Sequence, residues 1–185
     1  MYIFKYNFID EKILWNNIDY GYIKLILIGI YTGFRPHELC ILKRSNINLS
    51  ENYIIGGEKT EAGTDRYVPI HPRIKKLIEY YYNQSYDQEY LINVFDGQQG
   101  NTMTYDKYRG RFRNALKHCK IDEGKYSPHC TRHTFITRSK ECHMDEEAIK
   151  LIVGHDFSDD ITVFIYDHSD KRKYLQEEIL KLNYL

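Results

Sequence analysis

The chain has 185 residues, enough for one well-buried domain with at most a short appendage. It is 42% hydrophobic and 28% charged, an ordinary globular balance, and no run approaches the roughly 18 apolar residues that span a bilayer, which excludes a helical membrane protein. The formal net charge is zero, the opening MYIFKYNFIDEK has no basic leader or small-residue cleavage site, and the four cysteines are scattered without CxxC pairing. These features are expected of a cytoplasmic protein with reduced thiols.

In chain order, the pattern is helical first. Ile9, Ile13, Leu14 and Ile18 recur near a 3.6 period, predicting a helix over 9–18. Residues 20–31 (YGYIKLILIGIY) are almost continuously apolar and predict a buried core helix that Thr32-Gly33 stops. A new helix starts at Pro36 and carries Leu39, Ile41 and Leu42 inward. From Asn46 the runs INLSENYIIGG, EKT and DRYVPI, separated by Ser-Glu-Asn and Glu-Ala-Gly-Thr, predict three short antiparallel strands. Pro69 and Pro72 close them, and 73–82 returns to helical spacing. Residues 83–104 read mostly as loop. A basic amphipathic helix follows over 105–120, with Tyr108, Phe112, Ala115 and Leu116 as its buried stripe. Ser127-Pro128 opens the next helix, with Ser127 as expected N-cap; 145–153 forms another, ended by Gly154. Short helices are expected at 161–167 and 171–182. The predicted fold class is mainly α (α+β): one helical domain, 1–185, carrying a small three-stranded antiparallel sheet.

The zero net charge conceals a segregation. Residues 101–144 hold ten Lys/Arg against four acids, whereas 145–185 hold ten acids against five bases. A phosphate backbone needs a local basic face, not a basic protein; read alone, the 107–120 cations would be the solvated side of a helix. Two arginines sit where helices begin: Arg35 in TGFRPHEL, and Arg132 three residues after His129 in SPHCTRHTF. A helix start favours an anion, and a guanidinium adds a planar fork matched to phosphate oxygens. Each arginine alone would be a surface ion pair, and Lys59, at the expected hairpin tip in GGEKTEAGTDR, an exposed turn lysine. Val153-Gly154-His155 is followed eleven residues later by Tyr166, one of 18 tyrosines. A phenol with a pKa near ~10 is a poor nucleophile at neutral pH unless cations or a base assist it.

Taken in order, these segments resemble one family. TGFRPHEL, a hairpin Lys followed by RYVPI, His-x-x-Arg-His-Thr-Phe, Gly-His and the tyrosine of IYDH are similar to tyrosine recombinases. GGEKTEAGTDRYVPIHPRI and VGHDFSDDITVFIYDH are similar to integrases of Gram-positive phages and conjugative transposons. The resemblance covers about residues 8–181; Cys130-Thr131 and Asp167 depart from common choices. It implies that Arg35 and Arg132 clamp a scissile phosphate, that His155 adds a hydrogen bond, and that His129 is the acid/base partner. Lys59 would be the general acid for the leaving 5′-oxygen, and Tyr166 the nucleophile forming a 3′-phosphotyrosine, with Glu38 supporting and His133 packing on or orienting the second arginine. It implies no cofactor, metal or ATP. The implied partner is double-stranded DNA at a recombination site, bound by a homo-oligomer that is tetrameric on DNA, with a monomer admitted when free. The family's N-terminal core-binding and arm-binding domains do not fit before Phe8, so a fragment or a minimal protein is expected. The helix over 171–182 is expected to dock either on a neighbouring protomer or on its own domain.

Three other readings compete. A type IB topoisomerase uses a similar constellation, although the hairpin and the GHDFSDDIT spacing favour the integrase side. A catalytically silent DNA-binding relative would not need every catalytic position filled. A zinc module built from His129, Cys130, His133, Cys142 and His143 lacks the usual ligand spacing.

Overall fold

The computed structural model describes residues 8–57, 65–93, 103–155 and 168–182. Within them lie helices α1 (Phe8–Asn16), α2 (Ile23–Thr32) and α3 (Pro36–Cys40), then a 3-10 turn (Arg44–Asn46) and strands β1 (Ile47–Asn48), β2 (Tyr53–Gly56) and β3 (Arg66–Pro69). Helices α4 (Pro72–Gln84), α5 (Tyr105–His118), α6 (His129–Glu141), α7 (Glu146–Val153) and α8 (His168–Ile179) follow. This is the mainly helical architecture expected from the periodicity. The strands form an antiparallel sheet in the order β1-β2-β3, pairing Ile47 with Ile54, Ile54 with Val68 and Gly56 with Arg66. The predicted helix at 161–167 falls outside the described residues.

The apolar run of α2 makes it the central helix: Ile23 and every residue from Leu25 to Thr32 are buried. It begins three residues later than its hydrophobicity suggested. Gly21 takes φ 45°, and Tyr20 lies outside, its ring stacked on His118 at 3.6 Å. Helix α6 crosses close to α2 because Gly29 has no side chain: a Cβ there would lie 3.0 Å from Thr131 Oγ1. Tyr108, Phe112, Ala115 and Leu116 form the buried stripe of α5 as expected, burial that favours the fold by about 1.5–3 kcal/mol per large side chain.

Helix α6 starts differently from expectation. Pro128 already has helical angles (φ −53°, ψ −29°), and Ser127 does not cap it with its side chain. Its Oγ lies instead 3.7 Å from Cys130 Sγ, which accepts from the Ser127 amide at 3.3 Å. The last helix packs on its own domain. Leu175, Ile179 and Leu182 are buried, Glu178 Oε2 accepts from the Asp145 amide at 2.7 Å, and Gln176 Nε2 donates to the Glu51 carbonyl at 2.8 Å. It also begins and ends three residues earlier than the 171–182 expected. Among the described residues, no helix is long and apolar enough to cross a membrane.

Candidate active site

Helix α2 must stop before Arg35, and Gly33 stops it. Its φ of 66° suits a residue without a Cβ, and an added Cβ would meet Phe135 Cδ1 at 2.6 Å. Arg35 then takes an extended conformation (φ −64°, ψ 145°), and Pro36 enters the first helical position of α3. At the third position Glu38 reaches back: Oε2 accepts from the Arg35 amide at 2.7 Å, and Oε1 from Arg35 Nη1 at 2.8 Å. Because α3 has only five residues, its dipole adds little to anion binding; the fixed guanidinium charges carry it.

A second arginine grips the same carboxylate. Arg66 at the head of β3 donates from Nη2 to Glu38 Oε2 at 2.6 Å and from Nη1 to Oε1 at 3.1 Å. Its Nε donates to the Ile152 carbonyl of α7 at 2.8 Å, and the guanidinium lies 4.7 Å from the Phe34 ring centroid. Arg66 was not among the residues singled out above. The available signal was strand parity, because Arg66 shares its face with Val68, a buried position, and an inward arginine requires a buried partner.

Arg132 comes from one turn into α6. It is 7% exposed, and Nη1 donates to the Gly33 carbonyl at 2.8 Å. Nη2 is buried, with no hydrogen-bond partner among the described residues. Burial, and then the charges of Arg35 and Arg66, pull its pKa down to about 10, still protonated at neutral pH. For Glu38, burial alone would raise the carboxyl. The hydrogen bonds and charge of Arg66, followed by the Arg35 amide and side chain, outweigh it and hold Glu38 below the ordinary carboxylate range. Among the described residues, Arg35 and Arg66 pair with Glu38 while Arg132 feels its charge only at longer range, leaving positive charge for an incoming anion.

Gly154, with φ 68°, ends α7 and turns the chain into His155. This imidazole is exposed, and partial desolvation followed by Arg132, Arg35, Arg66 and Lys140 pulls its pKa below the ordinary value. It is thus a neutral hydrogen-bonding group at neutral pH. His129 opens α6 on the exposed side, its ring 5.9 Å from that of Tyr105 on α5, and His133 is exposed one turn later. Exposed Arg109, Arg113 and Lys117 follow Tyr105 along α5 at four-residue spacing. The structure thus brings Arg35, Glu38, Arg132 and His155 together; Lys59 and Tyr166 lie outside the described residues. The zinc reading finds no supporting cluster: among the described residues no three His, Cys, Asp or Glu gather as a metal site, and Cys130 is buried.

The fold is that of tyrosine recombinase catalytic domains. It superposes on the crystal structure of XerA recombinase with a TM-score of 0.71 at 24% identity, covering 94% of this chain and 65% of that one. The integrase of transposon Tn1549, solved in complex with transposon right end DNA, superposes at 0.70 with 20% identity, covering 96% and 66%. The chain belongs to the phage integrase family, whose model matches residues 10–173. It is 29% identical over 155 residues to tyrosine recombinase XerD of Vibrio cholerae, covering 80% of this chain and 49% of that protein. It is 31% identical over 166 residues to tyrosine recombinase XerA of Pyrococcus furiosus, covering 88% and 55%. The chain thus spans about half the length of the curated relatives it matches.

Proposed function

We propose that this chain is the catalytic domain of a site-specific DNA recombinase that cleaves and rejoins DNA through a 3′-phosphotyrosine at Tyr166. The observation that carries the proposal is Arg132: a buried guanidinium whose Nη2 has no partner among the described residues, in the electrostatic neighbourhood of Arg35, Arg66 and Glu38. A buried donor of this kind calls for an acceptor, and a phosphodiester oxygen supplies both the lone pairs and the negative charge. Family membership supports the same substrate class.

In the proposed reaction, Arg35 and Arg132 hold the non-bridging oxygens and neutral His155 donates a hydrogen bond to them. The Tyr166 oxygen forms a bond to phosphorus and its proton passes to His129. The bond from phosphorus to the 5′-oxygen breaks, and that oxygen takes a proton from Lys59. The developing charge is stabilised by groups fixed in advance, which is how such sites lower the barrier. The phosphotyrosine keeps the energy of the broken bond, so rejoining by a 5′-hydroxyl runs the step backwards without ATP, and the guanidinium groups supply the charge that a metal would otherwise bring.

Double-stranded DNA is the proposed partner, its backbone following the exposed Arg109, Arg113 and Lys117 of α5 toward His129. We read the chain as one catalytic domain acting in the cytoplasm, assembled as a homo-oligomer on DNA, and serving a mobile element; the Tn1549 integrase is a transposon protein of the same fold. Two labelled duplexes carrying the element's crossover site test the reaction class. Joined recombinant strands that vanish in Tyr166→Phe are expected. Relaxation of a single plasmid without joining would indicate a topoisomerase instead, and DNA binding with neither outcome a silent relative.

A further inference from the structure

We infer that Arg66 is a positioning residue for the phosphate site, a strut that sets Arg35 against His155, an inference that rests on the phosphotyrosine reading above. Its Nε, Nη1 and Nη2 all donate, and together they reach two elements, α3 and α7. Nη1 and Nη2 hold Glu38, which in turn holds both the amide and the side chain of Arg35. Nε holds the Ile152 carbonyl, three residues before His155. The guanidinium face rests on Phe34, which is fully buried and adjoins Arg35. One side chain on β3 therefore ties the start of α3 to the end of α7.

Arg66 is itself 6% exposed, and its forks are committed to Glu38 and Ile152, so its contribution is made through others. Both Glu38 oxygens already accept from Arg35 and Arg66, and removing either partner leaves a buried carboxylate short of donors. Lysine would substitute only in part, because a point charge reaches one acceptor where the planar fork and Nε reach three. Among the described residues, the charged groups that act on or are acted on by Glu38 include Arg35 at the N-cap of α3, Arg66 from β3 and Arg132 from α6.

The test is single-turnover formation of the protein–DNA adduct at saturating nicked substrate, followed against pH, with DNA affinity measured separately. Arg66→Gln is expected to lower the rate constant about 100-fold, the scale of a misplacement near 1 Å, while DNA affinity changes only a few-fold. The loss should deepen as pH falls, since Glu38 without Arg66 takes up a proton more readily; in Glu38→Gln/Arg66→Gln the added acid dependence should be absent. Arg66→Lys should fall between wild type and Arg66→Gln, and serves where Arg66→Gln does not fold. A merely structural role would reduce the reacting fraction and leave the rate constant and its pH profile at wild-type values, which would overturn the inference while the phosphotyrosine reading stood. Absence of any adduct with wild type would overturn both.

Discussion

Arg132 Nη1 donates 2.8 Å to the carbonyl of Gly33, joining α6 to the turn that delivers Arg35 two residues later. One of the two arginines proposed to clamp the phosphate is therefore tied to the turn that leads into the other, and that turn is shaped by Gly33 at φ 66°. Substitution at Gly33 should damage the site and the fold together. Gly33→Ala places a Cβ 2.6 Å from Phe135 and demands left-handed backbone of a residue that disfavours it. A loss of about 2–4 kcal/mol in unfolding free energy by denaturant titration is expected. A variant as stable as wild type would show that this turn is not constrained as described.

The His155 imidazole reports on the charge around it. Its pKa is held low by partial desolvation and then by Arg132, Arg35, Arg66 and Lys140. An oxyanion seated among the arginines offsets that charge, so inorganic phosphate at saturation should raise the His155 pKa toward its ordinary value in an NMR titration. An unchanged pKa would place the anion elsewhere.

Glu38 predicts a particular acid sensitivity. Its folded-state pKa lies below the unfolded value of about 4.3. The ionised carboxylate therefore contributes stability that is present above that pH and is lost as pH falls through the lower folded value. Glu38→Gln should cost about 3–5 kcal/mol at pH 7, because it strands buried Arg66, and the gap to wild type should close as the medium becomes acidic. A gap that is constant with pH would contradict this account of the pair.

The last helix should behave as part of the domain. Leu175 is 1% exposed and Ile179 2%. Leu175→Ala is expected to destabilise the isolated chain by about 2–5 kcal/mol, measured at dilutions where the chain is monomeric. No change would mean that α8 seats on another protomer in solution.

Much of this was legible in the sequence because it rests on local rules. The apolar α2, the Gly33 stop, the Pro36 start, the stripe of α5 and the Gly154 end of α7 each follow from periodicity or from the backbone freedom of single residues. Arg35, Glu38, Arg132 and His155 were found by motif order, and the fold places them in one electrostatic neighbourhood. What escaped depended on distance along the chain. Arg66 meets Glu38 across 28 residues and Ile152 across 86, and no local pattern announces either pairing. Ser127 looked like a cap because its residue type suits one, yet Pro128 already has helical angles and Cys130 Sγ takes up the Ser127 amide. The amphipathicity of the last helix does not by itself say where it docks, since its seat depends on the distant Asp145 amide, which donates to Glu178, and the Glu51 carbonyl, which accepts from Gln176.

The central claim is that one phenol among 18 tyrosines becomes joined to DNA. The direct measurement traps the protein on a nicked substrate carrying the crossover site, digests both components, and identifies the nucleotide-bearing peptide by mass spectrometry. The account predicts a 3′-linked nucleotide on the peptide containing Tyr166, and no adduct from Tyr166→Phe. A nucleotide on any other residue, or an adduct that survives in Tyr166→Phe, would contradict it.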